Sequence, residues 1–403
     1  MSKDNYTTAL ETLYRFCQPP SKQPSLSTMQ QLCAIFSHPT FPTIHVAGTN
    51  GKGSVCTKLA YSLSKGGYRT GLYTSPHISS FRERIRIGTA YISEEETSYL
   101  LNKIYKMIHK HEIKPTFFEI TTLLAFLYFQ QHNIDIAIIE TGIGGRYDAT
   151  NIITPLVSVI TAIGFDHTEV LGSSLDAIAQ EKAGIIKKAV PVVLGPDAQR
   201  KPIIEKAKEL HAPIYQSTQR YADFDEENTD IATLTLKILA PTFPLSTEAL
   251  EYGLHTTPPC RFESHFFHDH TIIFDVSHNA HGFTKLIERL KRAYPHLNYR
   301  FILGFSKGKD IASCALLLQH EAHSIHLISS PHPRLAKATE LHPFFTQAPC
   351  PIHIETDIPS GIHHALQLAQ KNQELIIIAG SFFIMNEAKK AIHLPTTEDN
   401  VLA

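Results

Sequence analysis

Val46-Ala47-Gly48-Thr49-Asn50-Gly51-Lys52-Gly53-Ser54-Val55 closes an apolar run beginning at Ile44 and breaks into a glycine-spaced turn with one lysine. Beyond it Val55, Leu59 and Leu63 recur at the spacing of one helical face. Glycines at 48, 51 and 53 let the backbone curl until successive N–H groups face one anion, with no Cβ to hold a phosphate away. A helix opening near Ser54 adds its own free N–H groups and the positive end of its dipole. Lys52 is placed to reach outer phosphates and the Ser54 hydroxyl to bond phosphate or magnesium. The pattern departs from the general P-loop, because Gly53 separates the lysine from the hydroxyl and the first glycine comes early. An ordinary strand-to-helix turn needs no such set of residues, so Gly48 to Ser54, including Thr49 and Asn50, reads as a phosphate cradle.

The chain has 403 residues, more than one core usually serves, and at 43% hydrophobic it has the apolar content for two. A net charge of -1 offers no basic field for nucleic acid. Small polar ligands are the expected partners. The six cysteines have no CxxC spacing, so neither a zinc site nor a disulfide framework is suggested, and the 24 histidines count only where a motif holds them. No apolar stretch has bilayer length and no signal core follows Met1, which leads to the expectation of a soluble, cytoplasmic protein with no membrane partner. A monomer is expected, though nothing in the sequence fixes the oligomeric state.

Helices are expected at Thr8 to Cys17 and Ser27 to Phe36, covering the first strand. The cradle, its helix and a strand over Arg69 to Thr74 complete a βαβ unit and imply a parallel sheet. Phe81 to Ile87 suits a short strand or an extended loop. Helices follow at Glu94 to Lys110 and Thr116 to Gln131, the second so apolar that it must be buried. Asp135 to Glu140 reads as a central strand, and Leu156 to Thr161 and Ala189 to Leu194 as further strands, with a helix over Leu175 to Lys182. Gln216 to Asn228 is polar and irregular. Ile231 to Leu239 fits both an alternating and a helical pattern and is read as a helix capped by Asn228 or Thr229. Pro258-Pro259 stiffens a linker over 258–263, which divides residues 1–257 from 264–403. A fresh α/β pattern follows, with strands at Ile272 to Val276, Tyr299 to Gly304, Ser324 to Ser329, Ile352 to Glu355 and Leu375 to Ala379. The fold class is therefore α/β: a P-loop-containing parallel-sheet ATPase domain, then a smaller doubly wound, Rossmann-like domain.

Ligands of an open parallel sheet lie beyond the carboxyl ends of its strands. The cradle, Ser75, Glu140 and Asp166-His167 all stand there. A carboxylate ending an apolar strand beside a phosphate loop is placed to hold magnesium, which makes Glu140 the leading metal ligand. His167 fits a structural place and a ligand or phosphate role equally. Spacing alone reads Glu181-Lys182 as an exposed ion pair.

Taken together, Gly48-Thr-Asn-Gly-Lys-Gly-Ser54, Tyr73-Thr-Ser-Pro-His77, Glu83-Arg84-Ile85, Glu140-Thr-Gly-Ile-Gly-Gly-Arg146, Asp148-Ala-Thr-Asn151, Asp166-His167, Glu181-Lys-Ala-Gly-Ile185 and Asp275-Val-Ser-His-Asn279 resemble the folylpolyglutamate synthases, including the bacterial form that doubles as dihydrofolate synthase, within the Mur ligase superfamily. The resemblance implies an ATP-dependent amide ligase that phosphorylates a pterin-linked carboxylate and lets L-glutamate attack the acyl phosphate. Its substrates would be ATP, L-glutamate and dihydropteroate or a reduced folate. It implies that Lys52 and the loop bind ATP phosphates, and that Ser75 and Glu140 hold one magnesium. His167 and Lys182 would join Glu140 on a second, with Lys182 carried as a carbamate because an ammonium cannot bind a metal. Lys52, Glu140, His167 and Lys182 would be catalytic. It further implies nucleotide contacts from Arg261, Asp275, His278 and Asn279. Cys260 stands where the family's linker has glycine, and Ala280 where proline is common. A Mur-type ligase for a nucleotide-linked cell-wall precursor, which would expect a further N-terminal domain, and a nucleotide-controlled binding switch without synthesis are the competing expectations.

Overall fold

A computed structural model describes residues 3–17, 25–221, 223–370, 373–396 and 399. The chain forms two compact units whose main division follows Thr257. In the first, the elements run α1 (Lys3–Tyr14), α2 (Ser27–Phe36), β1 (Thr43–Ala47), α3 (Lys52–Lys65), β2 (Thr70–Tyr73), β3 (Ile85–Ile87), β4 (Ala90–Tyr91), α4 (Glu94–Lys110), α5 (Phe117–Gln131), β5 (Ile136–Glu140), β6 (Val157–Ile160), α6 (Thr168–Leu171), α7 (Leu175–Ala183), β7 (Val192–Leu194), α8 (Lys201–Glu209), β8 (Ile214–Gln216), α9 (Phe224–Leu239) and α10 (Thr247–Leu254). The eight-stranded sheet has the order β4-β3-β2-β5-β1-β6-β7-β8. It is parallel from β2 to β8, and the short β3 and β4 add an antiparallel edge.

The central strands are apolar throughout because both faces are covered. On β5, Ile136 and Ile138 join the core formed with α3 and α9, while Ala137 and Ile139 join the opposite core with α4 and α5. Buried on nearly every side, α5 needs no polar stripe, and its start is fixed by a capping box in which Thr116 and Glu119 satisfy each other's backbone N–H groups. Val55, Leu59 and Leu63 are fully buried, as the helical spacing expects.

The expected parallel βαβ unit is present, with β5 between β1 and β2 and paired in parallel with both. Three expectations need correction. Helices α1 and α2 pack mainly on α4 and α5 and not as a cover for β1. Residues 81–84 form a 3-10 turn before β3, because Ser80 and Glu83 make a capping box that closes the backbone there. Helix α9 starts at Phe224, inside the stretch expected to be irregular and ahead of both proposed caps. Elements α8, β8 and α10 are additional to those expected.

The second unit contains β9 (Glu263–Phe267), β10 (His270–Phe274), α11 (Ala280–Ala293), β11 (Asn298–Leu303), α12 (Ile311–Leu318), β12 (Ala322–Leu327), α13 (Ala338–Leu341), β13 (Ile352–Ile354), α14 (Ile358–Leu368), β14 (Glu374–Ala379) and α15 (Met385–Ala391). Its six-stranded sheet, ordered β13-β12-β11-β14-β10-β9, is parallel except for β9, which pairs antiparallel with β10. Among the described residues no helix is long and apolar enough to cross a membrane.

Candidate active site

The glycine turn between β1 and α3 is fixed from below by the end of β6. Thr161 Oγ donates to Asn50 O at 2.6 Å, and Thr49 Oγ donates to Gly164 O at 3.0 Å. A Cβ on Gly48 would stand 1.9 Å from Thr161 Oγ, so only glycine lets the turn sit that low. Gly51 has φ +86°, a left-handed conformation that glycine adopts freely, and a Cβ there would meet Asn228 Oδ1 at 2.4 Å. Helix α3 then begins without a side-chain cap, which leaves its first N–H groups to be satisfied by something other than a side chain of the preceding residue. Lys52 folds back over the turn, with Nζ 3.0 Å from Gly48 O and 4.0 Å from Glu140 Oε1.

Glu140 ends β5 and is 3% exposed. Its Oε2 accepts the Ser75 N–H at 3.0 Å, which joins the ends of β2 and β5 beside the cradle. The loop after Ser75 is held by Glu83, whose two oxygens accept the backbone N–H groups of Ile78, Ser79 and Ser80 at 2.7 to 2.9 Å. Arg84 Nε donates to His77 Nδ1 at 2.8 Å. The glycine-rich loop after Glu140 is held in the same way. Asp148 accepts from Gly142 N and Ile143 N at 2.8 and 3.0 Å and from Thr150 N at 3.1 Å. Burial pushes the Asp148 carboxyl above the usual carboxylate range, against those hydrogen bonds, which favour its charged form.

Lys182 is where the expectation from spacing fails. It is 4% exposed, not part of a surface ion pair, and its Nζ donates to Gly48 O at 3.0 Å, so Lys52 and Lys182 share one carbonyl oxygen. Burial, reinforced by the neighbouring Lys52 charge, lowers its pKa from 10.5 to about 7, while Asp166 and Asp148 partly oppose the shift. Helix α7 comes close enough because of two glycines. A Cβ on Gly145 would lie 2.9 Å from Lys182 O, and one on Gly184 would lie 2.3 Å from Arg146 Cα. Arg146 N donates to Glu181 O at 2.8 Å across this contact.

His167 stands at the N-cap position of α6 with a left-handed backbone, φ +50°, a conformation uncommon for non-glycine residues. Its ring stands 3.9 Å from Asp166 Oδ2 and 4.0 Å from Glu169 Oε1. Thus Lys52, Ser75, Glu140 and Lys182 are joined by direct contacts around the Gly48 turn. His167 belongs to a loop that Thr49 ties to the same turn through Gly164.

In the second unit, Asp275 Oδ2 accepts Phe262 N at 2.9 Å and Oδ1 accepts Ser277 N at 2.8 Å. Asn279 caps α11 through Gly282 N at 2.8 Å. The Arg261 guanidinium lies 5.4 Å from the centre of the Phe382 ring, and the His278 ring is 5.8 Å from the same ring. Cys260 is fully buried with φ +56°, the backbone shape that suits glycine at this place. Thr161, Asn228 and Asp148 shape the cradle and its neighbouring loop, a part the sequence did not reveal. Asp148 stood inside a motif and Asn228 was expected only as a helix cap, and a threonine just past a strand carries no local signal.

Residues 46–235 match the Mur ligase middle domain, and residues 261–382 match the Mur ligase glutamate ligase domain. This fold with these two domains defines an ATP-dependent, amide-forming ligase. The chain is 32% identical over 416 residues to the dihydrofolate synthase/folylpolyglutamate synthase of Bacillus subtilis (strain 168), covering 92% of this chain and 95% of that one. It is 34% identical over 330 residues to the folylpolyglutamate synthase of Lacticaseibacillus casei, covering 72% and 76%. It belongs to the dihydrofolate synthase/folylpolyglutamate synthase family. Among solved structures, the Yersinia pestis bifunctional enzyme complexed with AMPPNP and Mn ion superposes with a TM-score of 0.86 at 30% identity, covering 96% of this chain and 98% of that one. E. coli FolC in complex with DHPP and ADP gives 0.86 at 26%, covering 97% and 98%.

Proposed function

We propose that this chain spends ATP to join the amine of L-glutamate to a pterin-linked carboxylate, and that it accepts both dihydropteroate and reduced folates. The observation that carries this reading is the meeting of Lys52, Lys182, Glu140 and the Ser75 backbone at the Gly48 turn, in a chain of this family. A carboxylate resists amines until one of its oxygens becomes a good leaving group. Its oxygen attacks the terminal phosphorus of ATP, the bond to ADP breaks, and an acyl phosphate forms. The glutamate nitrogen then attacks the acyl carbon, the carbon–oxygen bond to phosphate breaks, and the spare ammonium proton passes to solvent.

Among the described residues Lys52 has carbonyl oxygens and the Glu140 carboxylate as partners in its folded-back position, and turning to phosphate exchanges them for stronger charge-assisted bonds. The first turn of α3 supplies N–H groups to the same anion. Hard oxygen donors suit magnesium, and Glu140 is a buried carboxylate beside the Ser75 segment. On the family resemblance Ser75 and Glu140 would hold one ion, and Glu140, His167 and Lys182 as a carbamate a second. Bound magnesium would offset charge on the transferring phosphoryl group. For Lys182 to take part, its free amine bonds the carbon of CO2 and releases one proton, giving a carbamate. An amine with pKa about 7 supports this, because much of it is uncharged at neutral pH. Arg261, Asp275, His278 and Asn279 are proposed to serve the nucleotide. The ligands in the related structures, AMPPNP with Mn ion and ADP with DHPP, support ATP, a divalent cation and a further small-molecule substrate.

Purified protein given ATP, magnesium, L-glutamate and either dihydropteroate or tetrahydrofolate should form the glutamyl product from each. Extension of tetrahydrofolate with no dihydrofolate from dihydropteroate would remove the dual activity. Failure with both would remove the ligase assignment.

A further inference from the structure

The second unit gathers a polar cluster that the ligase chemistry leaves unused. His326 on β12 and His353 on β13 are register partners in adjacent parallel strands, and their rings stack 4.5 Å apart. Glu355 follows β13, and His364 projects from α14 to place its ring 5.3 Å from that of His326 and 4.9 Å from that of His353. Both His326 Nδ1 and His364 Nδ1 stand 2.8 Å from the same oxygen, Glu355 Oε1. The His326 side chain is fully buried and that of Glu355 is 10% exposed, whereas the His364 side chain is 40% exposed and leaves a way in.

We propose that His326, Glu355 and His364 form a three-ligand binding site for a divalent transition-metal ion of the zinc type, with solvent as the fourth ligand, separate from the magnesium-dependent ligase centre. The donor set is imidazole nitrogen plus carboxylate, which zinc favours over magnesium. The three ligand atoms lie within 4.8 Å of one another. Zinc bonds of about 2.0–2.1 Å set tetrahedral ligand atoms roughly 3.3 Å apart. Spreading the two 2.8 Å contacts by about 0.5 Å, and setting the two imidazole nitrogens, already within 4.8 Å of each other, at the same spacing, opens the site.

One neighbour resists the ion. Arg300 Nη1 lies 3.1 Å from His326 Nε2, and once Nδ1 takes the metal the ring proton sits on Nε2 and this contact opens. Arg300 keeps Glu374 Oε2 at 2.7 Å and Ser324 Oγ at 2.6 Å, so its charge stays paired. An ion here would staple edge strand β13 to β12 and α14, a stabilising role that needs no part in the reaction.

The probe is Zn2+, titrated into the full-length protein by calorimetry in excess magnesium. The site predicts one equivalent bound, equally well in wild type and His167→Ala, with affinity lowered more than about tenfold in both His364→Ala and Glu355→Gln. Zinc should raise the melting temperature of wild type and leave that of His364→Ala unmoved. Ligase activity of His364→Ala, unchanged from wild type, certifies its fold. Absence of stoichiometric zinc, affinity undiminished by both substitutions, or loss of binding in His167→Ala alone would each overturn the proposal and leave a hydrogen-bonded histidine–carboxylate cluster.

Discussion

Two lysine nitrogens on one carbonyl oxygen, Lys52 and Lys182 at Gly48, make the cradle costly when both are charged. Between about 7 and its ordinary 10.5, the folded chain holds fewer protons at Lys182 than the unfolded chain, so this residue makes stability rise with pH across that window. Below about 7 the buried ammonium imposes its full cost. Lys182→Met should therefore melt higher than wild type at pH 6 in CO2-free buffer, with the gap narrowing by pH 9, while ligase activity is lost. A gap that widens with pH would contradict the assignment. Lys182→Arg should be nearly inactive even with bicarbonate, because guanidinium keeps the charge and cannot become a carbamate; full turnover in that variant would exclude the carbamate. Lys52→Ala should lower ATP turnover by a factor on the order of 10² or more with the fold intact, since its bonds are to the turn and not to the core. At this scale the sequence was legible where a motif ran in one stretch, as at Gly48 to Ser54. Spacing misread Lys182 as exposed, where only the family resemblance brought it to the site, and it was silent on His326, Glu355 and His364, whose meeting depends on separate elements of a folded sheet.

Helix α7 carries Lys182 to the cradle only because Gly145 and Gly184 let two backbones touch. Gly184→Ala places a Cβ 2.3 Å from Arg146 Cα, so one backbone must move, at a cost of about 1–3 kcal/mol. The expected result is a lower urea midpoint together with reduced ligase activity, because the displaced element holds Lys182. Unchanged stability and activity would show that this close approach is dispensable. Elements with long periodic patterns were legible: α2 and α4 have the expected bounds, and the strands differ at their ends by a few residues. Short pieces were not. The 3-10 turn at 81–84 followed from a serine and glutamate three apart, a signal weaker than the apolar alternation over the same residues. Strand β8 is partly exposed, so no buried apolar run marks it.

Across the molecule, two mainly parallel sheets follow the chain, and the family defines the reaction they serve. The α/β class was legible because buried parallel strands read as apolar runs between helical stretches. The order of strands was not: β5 enters between β1 and β2, a long-range choice that local periodicity does not encode. The central claim is amide synthesis through an acyl phosphate, and an isotope tests it at its reacting atoms. Dihydropteroate labelled with ¹⁸O in its carboxylate should, with ATP, magnesium and L-glutamate, yield inorganic phosphate that carries one labelled oxygen for each dihydrofolate formed. Unlabelled phosphate, or phosphate released at the same rate without the pterin and glutamate, would contradict the account.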